Sequence, residues 1–175
     1  MITALIIIGS IVALFFLLAL IMGKKMNIER SIIINKPVSE VFEYIRHMKN
    51  QENFSVWMMM DPEMKKEYRG TDGTVGSICA WDSNKKSNAG QGEQEIKAIV
   101  PNQSVDLELR FVRPMQSVAQ AKMSTEPVGA NQTKVRWGFI STMKYPGNVM
   151  KPMVEGMMVK NLDEGLNNLK NILEK

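Results

Sequence analysis

The chain has 175 residues, 45% of them hydrophobic, with 22 Lys and Arg against 18 Asp and Glu for a formal charge of +4. That length supports one domain with a real core rather than two. One cysteine, Cys79, and one histidine, His47, exclude a disulfide framework within the chain and argue against a zinc site, while fitting a reducing compartment. Lys24 and Lys25 supply half of the net charge, so residues 27–175 carry only +2, too little and too scattered for a nucleic-acid footprint.

Residues 2–22, ITALIIIGSIVALFFLLALIM, contain no charge, and their only polar side chains are Thr3 and Ser10. At about 1.5 Å per residue this run reaches roughly 31 Å, the thickness of a bilayer's hydrocarbon core. A cleaved signal peptide or a buried core helix are the alternatives. Against the first stand the missing basic n-region, the length of the apolar run and the lack of a small-x-small site. Lys24, Lys25 and Arg30 follow the run, so the positive-inside tendency puts the amino terminus outside and the domain in the cytoplasm of a single-pass cell-membrane protein. The expected division is 1–25 as transmembrane anchor and basic flank, and 26–175 as one domain.

MNIERSIIIN (26–35) reads as a first strand. Lys36-Pro37 ends it, and PVSEVFEYIRHM begins a helix with proline early in its first turn and an apolar stripe at Val41, Tyr44, Ile45 and Met48. NQENFSVW predicts a second short helix or turn. Beyond Asp61-Pro62 the period becomes two. KKEYRGTDGTVGSICAWD predicts two strands joined by a tight hairpin at Asp72-Gly73, GQGEQEIKAIV a third sheet segment closed by Pro101-Asn102. VDLELRF places Val105, Leu107, Leu109 and Phe111 on one face. QSVAQAKMSTEP and TKVRWGFISTMK follow around a turn at 127–131, with Val135, Trp137 and Phe139 sharing a face. Tyr145-Pro146-Gly147-Asn148 breaks the sheet, and one long helix with a stripe from Met150 to Leu173 completes the chain. The order is one strand, two short helices, about six strands and a long helix, an α+β antiparallel meander.

Methionine is over-represented, at 15 residues. Eight fall in two stretches, Met58, Met59, Met60 and Met64, then Met150, Met153, Met157 and Met158. Flexible, polarizable methionine suits surfaces that adapt to irregular apolar partners, although it also serves as core filler.

This order resembles the START-like (SRPBCC) superfamily, in particular its polyketide cyclase/dehydrase and lipid-transport branch. The resemblance is carried by Lys36-Pro37-Val38-Ser39-Glu40-Val41-Phe42 with Trp57 downstream, GTDGTVGSICAW (70–81), GQGEQEI (90–96), the Pro101-Asn102 turn and EGLNNLKNILE (164–174), over residues 26–175. It implies a helix-grip fold, a curved antiparallel sheet wrapped around the C-terminal helix with an apolar cavity between. It does not imply one chemistry, since the superfamily holds lipid carriers, ubiquinone-binding proteins, cyclases and stress-response modules. On that fold the two methionine stretches would face each other across a cavity mouth. The expected lining is Trp57, Met58, Trp81, Phe111, Trp137, Phe139, Met153 and Met157.

Side chains able to do chemistry have ordinary structural readings. His47 closes a helix, where it is favoured electrostatically. Glu93 and Glu95 share a strand face and answer cations such as Arg110 or Lys97, although a carboxylate pair could also serve acid/base catalysis. Asp61 reads as a helix cap, Cys79 as structural, and GTDGTVG as a turn, not a phosphate loop. The expected function is a membrane-anchored domain binding a hydrophobic small molecule, a lipid or an isoprenoid quinone, as carrier or sensor. No catalytic residue, metal, cofactor or nucleic-acid partner is assigned, and the oligomeric state is not read. The alternatives are a cyclase- or dehydratase-like enzyme using a pocket carboxylate, and a regulatory module with a vestigial cavity. An ionisable side chain inside the grip would favour the enzyme.

Overall fold

The computed structural model describes residues 1–84 and 89–175. The apolar run forms one unbroken helix, α1 (Ile2–Ile21), in which Ala19 is the buried residue. Leu14, Phe16, Leu17 and Leu20 are all exposed, so α1 projects from the domain instead of joining its core. Strand β1 (Lys25–Ile34) follows, then helix α2 (Val38–Arg46), a 3-10 turn at Met48–Asn50, and the one-turn helices α3 (Gln51–Phe54) and α4 (Val56–Met59). Six strands come next: β2 (Lys65–Arg69), β3 (Ile78–Asp82), β4 (Gln91–Val100), β5 (Ser104–Arg113), β6 (Ser117–Gly129) and β7 (Gln132–Thr142). A 3-10 turn at Gly147–Met150 leads into helix α5 (Lys151–Leu173).

The seven strands form one antiparallel sheet in the order β1-β7-β6-β5-β4-β3-β2. Its inner face carries Val105 and Leu107 on β5, Ala121 and Met123 on β6, and Val135, Trp137 and Phe139 on β7, all buried. Strict alternation sends their neighbours Asp106, Lys122 and Arg136 outward. Helix α5 turns Met158, Leu162, Leu166, Leu169 and Leu173 into this core, while α2 contributes Val41, Phe42 and Ile45. Polar ties fix α5 along β1: Arg30 Nε to Asp163 at 2.7 Å, Lys170 Nζ to the Ile33 carbonyl at 2.8 Å, and Asn35 N–H to Glu174 at 2.6 Å.

Two glycines make room for two tryptophans. A Cβ on Gly165 of α5 would lie 2.9 Å from Trp137, and one on Gly92 would lie 2.9 Å from Trp81 and 2.6 Å from the Arg110 carbonyl oxygen.

Two local expectations are corrected. Asp72-Gly73 is not a two-residue hairpin. Residues 70–77 form a longer connection in which Gly70, Gly73 and Gly76 all take positive φ, and the Asp72 carboxylate accepts the Met48 N–H at 2.8 Å. A long-range contact therefore uses the aspartate that the local pattern assigned to a turn. Asp61 likewise caps no helix. It accepts the Glu63 N–H at 3.0 Å in a tight turn and the Asn84 N–H at 2.7 Å. By contrast β6 and β7 do meet in a tight hairpin, with Gly129 paired to Gln132.

Candidate ligand-binding site

The aromatic rings on the inner side of the sheet fall into two groups. Phe54 and Trp57, from the one-turn helices, meet Trp137 edge-on at 5.6 and 6.0 Å between ring centroids. On the far side Trp81 meets Phe111 edge-on at 5.8 Å, and its indole N–H donates to the Ala89 carbonyl at 3.1 Å. Such contacts add about 0.5–1.5 kcal/mol each beyond burial and hold the rings in place. Of the expected lining, Met58, Trp81, Trp137 and Phe139 are buried, while Trp57 and Phe111 are half-buried.

The methionines divide differently from the expectation. Met153 and Met157 are 63% and 49% exposed, and the core-facing stripe of α5 begins at Met158, preceded only by the partly buried Val154. The period along the helix cannot tell which of Met157 and Met158 turns inward. Met59 and Met60, with Val56, Glu164 and Asn168, line a gap of about 190 Å³ between α4 and α5. A larger open depression of about 560 Å³ lies at the ends of β2, β3 and β4, but its walls are polar, among them Glu63, Asp82, Gln91 and Arg113. Arg113 there is held by Asp82, by Gln91 at 3.0 Å and by the Ser83 carbonyl at 3.2 Å.

Sequence reasoning missed a polar cluster on the inner face. Lys66 and Tyr68 on β2 pair in register with Trp81 and Cys79 on β3, so all four side chains share the concave side. The Glu52 carboxylate of α3 accepts Lys66 Nζ at 2.9 Å and the Tyr68 hydroxyl. Beside it Gln94 donates to Gln51 at 2.9 Å, and both are buried. Desolvation pushes the Glu52 carboxyl up, but the hydrogen bonds from Tyr68 and Lys66 outweigh it and hold the group below its ordinary range. Burial, then the bond to Glu52, raises the Tyr68 phenol far above its usual value, so it stays protonated and keeps its hydrogen bond. Burial also raises the Cys79 thiol, which disfavours the thiolate a nucleophile needs. The available signal was the alternation Lys66-x-Tyr68, two polar side chains on the face that β5 keeps apolar.

The other titratable groups keep their structural readings. Glu93 and Glu95 both bind Arg110, each at 2.8 Å, and Lys97 reaches Glu95 at 3.0 Å. The Lys97 ammonium and then the Arg110 guanidinium hold Glu95 below the usual carboxylate range, as Arg110 does Glu93. His47 lies 3.2 Å from Glu43 and 3.4 Å from Asp72 and packs over Gly73. Among the described residues no group of three His, Cys, Asp or Glu is placed to hold a metal ion.

A curved antiparallel sheet closed on a long C-terminal helix defines the helix-grip, Bet v 1-like class of START-like proteins. Within it, the chain belongs to the family described as polyketide cyclase / dehydrase and lipid transport, whose sequence profile matches residues 25–174, from β1 through α5. Solved structures share the fold at low identity. Norcoclaurine synthase from Thalictrum flavum, determined in complex with dopamine and hydroxybenzaldehyde, has a TM-score of 0.66 at 11% identity, over 88% of this chain and 90% of that one. The Aha1 dimer from Colwellia psychrerythraea has a TM-score of 0.55 at 18% identity, over 85% and 96%. No curated protein matches the chain by sequence.

Proposed function

We propose that the protein is a membrane-anchored START-like domain that binds a hydrophobic small molecule, a lipid or an isoprenoid quinone, as a carrier or sensor in the cytoplasm-facing layer of the cell membrane. The observation that carries this reading is the direct junction of an exposed apolar helix, α1, to a grip whose inner face is aromatic. Anchoring keeps the domain beside a ligand dissolved in the bilayer. The gap between α4 and α5, about 190 Å³, is smaller than the roughly 300 Å³ at which small-molecule pockets begin. Entry therefore displaces side chains, and Met59 and Met60 are the flexible ones at that seam. Native mass spectrometry of the full chain purified from membranes tests the proposal. A defined co-purifying lipid or quinone is expected, and an empty protein from several expression hosts would count against it.

A second reading, a cyclase- or dehydratase-like enzyme, is favoured by one observation: the Glu52, Lys66 and Tyr68 cluster on the concave face. Tyr68 would donate a hydrogen bond and Glu52 would be the pocket carboxylate. Glu52 already accepts from two donors, however, and its lowered pKa makes it a weak base. Binding without transformation remains the preferred reading. Loss of turnover in Glu52→Gln with ligand binding retained would reverse that preference.

A further inference from the structure

We propose that residues 145–153 form a bilayer-contacting surface, on which the domain sits against the same phospholipid membrane that α1 enters. The inference rests on reading α1 as a membrane span.

Helix α1 does not leave the domain as a free tether. Asn148, fully buried, donates through Nδ2 to the Ala19 carbonyl at 2.7 Å and the Met22 carbonyl at 2.8 Å. The Tyr145 ring lies 6.1 Å from that of Phe16, and the Met143 N–H donates to the Lys24 carbonyl at 2.9 Å. Carbonyls at the carboxyl end of a helix lack intrahelical partners, and in apolar surroundings they must find donors within the protein. Asn148 is that donor.

Depth follows from helix geometry. Phe16 precedes Met22 by six residues, which at about 1.5 Å per residue places the Phe16–Tyr145 contact roughly 9 Å up the helix from its carboxyl end. The apolar run is just long enough to cross the hydrocarbon, so its last turns lie near the boundary between headgroups and acyl chains. Tyr145 is carried to the acyl side of that boundary, next to the zone where tyrosine is enriched.

The outward chemistry of the segment fits that position. Tyr145, Met150 and Met153 are 42%, 45% and 63% exposed, an apolar surface flanked by Lys144 and Lys151. No acidic residue occurs from 141 to 154, nor before Glu29. Glu155 pairs with Lys151 at 3.6 Å, so Lys24, Lys25 and Lys144, all exposed, leave the face a net positive charge that suits anionic headgroups. This also accounts for exposed methionines on the first turns of α5 without requiring them to line a cavity.

The test places the full chain in vesicles of phosphatidylcholine with about 30% phosphatidylglycerol, an anionic surface. An environment-sensitive fluorophore is attached at Met150→Cys, Met153→Cys or, as a control, Val128→Cys. Cys79 is fully buried and stays unlabelled, and Val128 lies at the β6–β7 hairpin, the opposite end of the sheet. Blue-shifted emission at 150 and 153, with quenching by acyl-chain nitroxides at least about two-fold above the control, is expected of a segment at the headgroup boundary. Equal, weak quenching at all three positions in protein that resists carbonate extraction would overturn the proposal and leave the anchor intact. Release of the protein by carbonate would overturn the anchor reading, and this surface with it.

Discussion

Trp137 is wedged between Phe54, Trp57 and the bare Cα of Gly165. Replacing glycine by alanine within a helix ordinarily gains up to about 1 kcal/mol. Here the added methyl would also stand 3.3 Å from the Phe54 carbonyl oxygen, backbone that cannot swing aside, and overpacking costs about 1–3 kcal/mol. Gly165→Ala is therefore expected to lower the denaturation midpoint, for a net loss of stability of up to about 2 kcal/mol. A raised midpoint would show that Trp137 is free to move. The Glu52 carboxylate makes a second residue-scale prediction. Its folded-state pKa is depressed, so its contribution is present at neutral pH and lost as pH falls through the folded value. In Tyr68→Phe one donor is gone and the depression is smaller. The variant should be less stable than the parent near pH 7, by about 1 kcal/mol after allowance for the partial exposure of Glu52, and the deficit should shrink on acidification. Denaturant midpoints measured from neutral to acid pH check this, and a deficit constant with pH would exclude the linkage. Only the Lys66-x-Tyr68 alternation of this cluster was legible beforehand, because Glu52 comes from a helix with no strong period and meets Lys66 and Tyr68 only through the fold.

Helix α5 presents one apolar stripe in sequence but two environments in space. Leu166 and Leu169 are fully packed, and their truncation to alanine should cost about 2–5 kcal/mol. Met153 and Met157 stand in the open, so their alanine variants should fall within about 0.5 kcal/mol of the parent. The same variants titrated by displacement of a fluorescent lipid separate their roles. Weakened binding at unchanged stability is the result expected of a ligand-gathering methionine surface, and unchanged binding would remove both residues from the site. The stripe itself could be read from the sequence, since the apolar period is a property of the helix. The point along it where burial begins could not. That depends on where α3, α4 and β1 end against α5.

At the scale of the molecule, α1 touches the domain through Tyr145, Asn148 and the Lys24 junction, and the sheet and α5 close their core without it. Residues 25–175 alone should therefore keep a cooperative melt and the circular dichroism of an antiparallel sheet with helix, while losing the membrane fraction. A non-cooperative melt would make α1 part of the fold. Protease added outside right-side-out vesicles should leave the domain intact, and its digestion would refute the cytoplasmic placement. The sequence by itself determined the order of elements, the apolar helix and the inner faces of β5 and β7, because strand alternation, helix period and apolar length are local properties of the chain, while the family came from the resemblance of short motifs in their order. Even Arg110 between Glu93 and Glu95 followed from alternation on neighbouring strands. Only the tertiary structure decided the rest: that Asp72 serves Met48, that Met153 and Met157 face outward, that Glu52 meets Lys66 and Tyr68, and that Asn148 closes the end of α1. Each is a contact between residues distant in sequence, and no local period encodes the rotation and docking that bring such partners together.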